Sequence, residues 1–118
     1  MEQVINIHNK GIEIEFEVGK YKIDVLGGWG VNLGQFSIAL KHKLNGQMAE
    51  CERSFWRIQS VVHGKRAKRI FEVQISLPGI YELAFSEPTT LQVKETNLFF
   101  SRLLQKPLPN ETICIYIH

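Results

Sequence analysis

The chain offers four histidines, two cysteines and six serines as groups able to ligate a metal or attack a substrate. A compact metal site draws two imidazoles from one face of one element, so its ligands recur at His-x-His or His-x3-His spacing. His8, His42, His63 and His118 form no such pair, and no acid stands at ligand spacing from any of them. A cupin-like metal enzyme would therefore have to assemble its site from residues dispersed along the sequence. Ser37, Ser54, Ser60, Ser76, Ser86 and Ser101 lack the Gly-x-Ser-x-Gly elbow that exposes a nucleophile on a strained strand-to-helix turn. Cys51 and Cys114 lie far apart and both inside apparent strands, where reduced thiols behave as small core residues; a disulfide between them is the alternative. Glu13, Glu15 and Glu17 share a face, but the alternation that aligns them turns that face to water. The sequence thus implies no catalytic residue, no metal ligand and no cofactor.

Residues suited to contact are easier to find. Gly27-Gly28-Trp29-Gly30-Val31-Asn32-Leu33-Gly34 is a glycine-rich loop with an indole at its centre. Leu33 stands where a dinucleotide fingerprint needs its third glycine, a strand rather than a helix follows, and there is no Gly-Lys-Ser/Thr, so phosphate-cradling loops of both common kinds are excluded. Trp29 is either a stacking or anchoring ring or a lid over the core edge. Lys65-Arg66-Ala67-Lys68-Arg69 holds four of the chain's fourteen cations, with Arg53 and Arg57 upstream. Such a cluster can meet phosphates, an acidic protein or an anionic surface, or simply protect a hairpin edge. Leu98, Phe99 and Leu103, with Phe100 and Leu104, crowd five large apolar residues into seven positions. They would plug an open end of the domain or form a docking surface for a partner or a second copy.

What must position these groups is a set of strands. Ile12-Glu13-Ile14-Glu15-Phe16-Glu17-Val18 alternates without a fault, putting Ile12, Ile14, Phe16 and Val18 on the core side. Gly19-Lys20 then suggests a tight turn into Tyr21-Lys22-Ile23-Asp24-Val25, and the two runs read as a β-hairpin. Val4–His8, Phe36–Leu40, Phe71–Leu77, Tyr81–Phe85, Leu91–Val93 and Ile113–Ile117 repeat the pattern between turn signals at Asn45-Gly46, His63-Gly64, Pro78-Gly79 and Glu87-Pro88. Residues 47–62 are long for one strand and predict a bend or break near Glu52-Arg53. Ile14, Phe16, Val73, Tyr81, Phe85 and Ile115 should lie inside, with Glu13, Glu15, Glu72 and Glu82 outside. Asn97–Leu104 is the one candidate helix, capped by Asn97 and stopped by Pro107 and Pro109.

The run Phe71-Glu72-Val73-x-Ile75-x-x-Pro78-Gly79-Ile80-Tyr81-Glu82-Leu83-Ala84-Phe85 resembles the Gly-x-Tyr hairpin of β-sandwich modules such as GOLD-type domains and jelly-roll carbohydrate-binding modules. The resemblance covers residues 71–85 and brings no ligand residues with it.

The length of 118 residues fits one domain, 1–118, with a genuine core. No apolar run approaches the ~20 residues of a membrane-spanning helix, and the N-terminus lacks the basic start and long apolar stretch of a signal peptide. A soluble, cytoplasmic protein is expected. The expected architecture is all-β, an antiparallel sandwich or jelly roll of about eight to ten strands with one short helix near 97–104. The expected function is a non-catalytic binding or interaction module, with Trp29, Lys65, Arg66, Lys68 and Arg69 as contacts to a protein partner or small ligand. Nucleic acid or an anionic surface is the alternative partner of the 65–69 segment. A structural homo-oligomer docking through Leu98, Phe99 and Leu103 is the second reading.

Overall fold

The computed structural model describes residues 2–54, 57–95 and 106–118, and they form an all-β protein. The strands are β1 (Gln3–Asn6), β2 (Ile12–Phe16), β3 (Gly19–Leu26), β4 (Gly30–Asn32), β5 (Ser37–His42), β6 (Met48–Glu50), β7 (Glu52–Arg53), β8 (Gln59–Val62), β9 (Lys65–Ile75), β10 (Gly79–Ser86), β11 (Gln92–Lys94) and β12 (Cys114–Ile117). One sheet runs β1-β12-β3-β9, with β7 and β8 both paired to the far edge of β9; a second runs β2-β10-β5-β6; a third is the pair β11-β4. All pairings among the described residues are antiparallel. Inward residues from all three sheets, among them Ile14, Phe16, Ile23, Val25, Val31, Leu40, Val73, Leu83, Val93 and Ile115, belong to one hydrophobic cluster. The arrangement is compatible with a sandwich. The strand number exceeds the expected one because β4 forms within the glycine-rich loop and residues 47–62 hold three short strands, β6, β7 and β8. The expected helix at 97–104, with Leu98, Phe99 and Leu103, lies outside the described residues.

The expected faces are observed. Ile14, Phe16, Val73, Tyr81 and Ile115 are buried, Phe85 packs against the core, and Glu13, Glu15 and Glu82 are exposed, with Glu72 partly so. The expected hairpin between β2 and β3 does not form. β2 pairs with β10, whereas β3 pairs with β9 and β12. Residues 12–26 and 67–83 instead make one antiparallel ribbon, running from Ile12↔Leu83 through Phe16↔Gly79 and Gly19↔Ile75 to Leu26↔Ala67. The ribbon passes between the two large sheets at a corner, as strands do when they switch sheets. Gly19 (φ +155) and Gly79 (φ +143) supply that corner's backbone angles. The Tyr21 hydroxyl secures it, donating to the Glu17 carbonyl at 3.0 Å and accepting from the Glu17 N–H at 3.2 Å. Alternation tells which face a residue takes but not which strand lies beside it. Val18, at the corner, is consequently 60% exposed rather than in the core.

The irregular stretch 47–62 resolves in the same way. β6 belongs to the four-stranded sheet and β7 to the six-stranded one, so the chain changes sheets at Cys51. Val62↔Lys65 closes the β8–β9 hairpin over the two residues His63 (φ 51) and Gly64 (φ 77), the primed-turn geometry that the local sequence suggests. In β9 the register slips by one between Phe71 and Arg69, leaving Ile70 as a bulge opposite Ile23/Asp24. That slip sends Arg69 away from the main core.

Candidate binding face

The four cations of the 65–69 segment have different fates. Lys65 is exposed, Arg66 and Lys68 are half-buried, and Arg69 is buried. Asp24 alternates with the core residues Ile23 and Val25 and so points to the outer face of the six-stranded sheet, where Arg69 meets it. The Arg69 Nε donates to Asp24 Oδ1 at 3.0 Å, and His118 Nε2 lies 3.0 Å from Asp24 Oδ2. His118 stacks on Tyr116, whose ring also meets His63 edge-on. A hydrogen bond to the Glu2 carboxylate, followed by burial, raises the Tyr116 pKa. Arg69 is therefore part of a buried polar cluster and stands apart from the surface shared by its neighbours.

Trp29 is held rather than presented. Its indole N–H donates to the Ser60 carbonyl at 3.1 Å, and the Arg66 guanidinium lies 4.6 Å above its ring. Lys68 Nζ donates to the Trp29 carbonyl at 2.8 Å, and Arg66 donates to the Glu95 carbonyl at 2.6 Å. Gly28 allows the chain to come this close, because a Cβ there would collide with the backbone carbonyl of Lys94. The glycine-rich loop thus lays β4 against β11 and staples both to the β8–β9 hairpin.

The same strand pair opens a groove of about 520 Å³. In β4–β11, Val31 and Val93 pair on the core side, while Gly30↔Lys94 and Asn32↔Gln92 pair on the other face. That polar face lines the groove together with Arg53 and Arg57. Arg57 donates to the Val31 carbonyl at 3.3 Å and Arg53 to the Gly34 carbonyl at 3.2 Å. Arg57 thus caps a carbonyl of β4 and Arg53 one just beyond its end. Among the described residues, none of Arg53, Arg57 and Arg66 has a carboxylate within ion-pair distance, and none of the groove's lining residues is acidic.

Sequence reasoning placed Arg53 and Arg57 beside the basic segment but missed Lys94, Asn32 and Gln92. The alternation Gln92-Val93-Lys94 held the signal for one polar face, but the strand that would lie beside it was not legible. Asp24 was missed because it sits in an alternating run where an acid reads as a water-facing residue.

The remaining candidates are dispersed. His42 is buried, with Nδ1 receiving the N–H groups of Leu44 and Asn45 and Nε2 lying 3.1 Å from the Pro78 carbonyl. These contacts fix the tautomer with hydrogen on Nε2. His8 bonds to Asn110. Cys51 is packed against the core, and burial pushes its thiol up to about 12. Both cysteines are free thiols. Among the described residues, no group of three or more His, Cys, Asp and Glu converges as a metal site, and no helix is long and apolar enough to cross a membrane. Comparison with family models, with curated proteins and with solved structures gave no match.

Proposed function

We propose that the protein is a non-catalytic binding module that meets a negatively charged ligand or partner through the face built from β4, β11 and the β8–β9 hairpin. The observation that carries this reading is the convergence of Arg53 and Arg57 on one groove without a carboxylate partner among the described residues, with Arg66, likewise without one, held over the adjoining Trp29. Uncompensated arginines repel one another, an arrangement that an incoming anion relieves. The exposed Lys65 extends the positive field, and Trp29 holds the face in shape. Arg69 contributes to the scaffold through Asp24.

The test is a binding screen of the intact protein against soluble phosphate esters, sulfated glycans, short duplex and single-stranded DNA, and anionic vesicles. The expected result is salt-sensitive binding to at least one, lost in Arg53→Gln/Arg57→Gln/Arg66→Gln. Indifference to every anion, or binding that the triple variant retains in full, would sink the reading.

A further inference from the structure

We infer that the groove over β4–β11 is a receptor for a single phosphoryl group carried by a small phosphate ester; this rests on the binding-module reading and narrows it. Three features point to one compact anion rather than an extended polyanion. The first is convergence: Arg53, Arg57 and Lys94 surround one concave space of about 520 Å³, a size suited to a small ligand. The formal charge of the two arginines matches that of a phosphate dianion.

The second is preorganisation. Each arginine spends one N–H on a β4 or adjoining carbonyl, Val31 for Arg57 and Gly34 for Arg53. A guanidinium has five N–H donors in a fixed plane, so anchoring one of them orients the others at little further entropic cost. The side-chain amide of Asn32 is oriented as well. Its Oδ1 accepts the Gly34 N–H at 3.1 Å, which turns its two N–H donors away from that contact. Gly30, opposite Lys94, adds no side chain to the floor.

The third is the state of the neighbouring cations. Arg66 is laid over Trp29 and bonded to Glu95, Lys68 is bonded to the Trp29 carbonyl, and Arg69 is buried on Asp24. They do not continue the groove as a row of open phosphate contacts. One face of the Trp29 indole is covered by Arg66 and its N–H is engaged by Ser60, so base stacking, which single-stranded nucleic acid requires, is disfavoured there.

The experiment is a titration of the intact protein with inorganic phosphate, followed by side-chain nitrogen–proton spectra and by calorimetry. Acetate serves as a monoanion control and phenyl phosphate as the ester. Phosphate and phenyl phosphate should saturate at on the order of 1 mM or tighter and shift the Arg53 and Arg57 side-chain resonances and the Asn32 amide. Arg53→Gln or Arg57→Gln should each weaken binding about tenfold, whereas Lys10→Gln should leave it unchanged. The inference is overturned if phosphate produces no saturable shift, if acetate binds as tightly, or if the shifts fall elsewhere. Duplex DNA or anionic vesicles that bind while phosphate neither binds nor competes would also overturn it, although the wider binding-module reading would stand.

Discussion

Arg69 Nε lies 3.0 Å from Asp24 Oδ1 on the outer face of the six-stranded sheet, the two side chains being 10% and 2% exposed. Each charge satisfies the other where water hardly reaches. Removing Asp24 leaves the buried Arg69 guanidinium uncompensated, a change that costs roughly 3–5 kcal/mol, and removing Arg69 leaves Asp24 with His118 as its remaining partner. Arg69→Met and Asp24→Leu should therefore each lower the urea midpoint. The double variant, which removes both charges, should recover much of that loss. A double variant as destabilised as the sum of the singles would contradict the pairing. The exposed pair Lys43–Glu13 is the contrast, since Lys43→Gln should barely move the midpoint.

The Gly79 corner should be intolerant of a side chain. A Cβ there would sit 2.5 Å from the His42 Nε2, and the backbone holds φ +143. Gly79→Ala should cost about 2 kcal/mol or more, from strain together with displacement of the imidazole that bonds the Pro78 carbonyl. Chemical denaturation beside His42→Ala measures both effects. A Gly79→Ala variant as stable as the parent would mean that the corner is not fixed as described.

Cys51 gives a pH dependence with a definite sign. Burial pushes the folded-state thiol from 9.0 up to about 12. From about pH 9 upward the unfolded chain loses this proton while the folded chain keeps it, so stability falls as pH rises, by at most ~1.4 kcal/mol per pH unit. Cys51→Ala has no such proton to lose. The stability advantage of the parent over Cys51→Ala should shrink between about pH 8 and about pH 10.5. A constant difference between the two proteins would show that the thiol titrates alike in both states.

These cases mark what the sequence made legible. The face of nearly every long strand followed from period-two alternation, because burial on one side and water on the other is a local property of Ile14, Phe16, Val73 and Tyr81. Partner strands were legible only across the tight turns at Asn45-Gly46 and His63-Gly64, since Gly19-Lys20 serves a hairpin and a sheet-changing corner equally well. Of the candidate site, the basic segment and Trp29 were visible as composition. The fate of each cation was not, because the Ile70 bulge decides which way Arg69 points. Lys94 reaches the groove through the pairing of β4 with β11, strands separated by some sixty residues of chain.

Trp29 should matter as a scaffold for the binding face. Trp29→Ala removes the ring under Arg66 and the bond to Ser60, and should weaken anion binding less than neutralising Arg53 and Arg57 while costing about 2–4 kcal/mol of stability. Parallel denaturation and binding curves separate the two effects. A stable Trp29→Ala protein that has lost all binding would instead make the indole a direct contact.

The central claim is that the position of the cations, and not their number, creates the binding face. Its most direct test is the salt concentration needed to elute three proteins from a phosphate-bearing cation-exchange resin: the parent, Arg53→Gln/Arg57→Gln, and Lys10→Gln/Lys41→Gln. The two variants have equal net charge, and Lys10 and Lys41 are exposed away from the groove. The account predicts that the arginine variant elutes well before the lysine variant, which stays close to the parent. Co-elution of the two variants would contradict it.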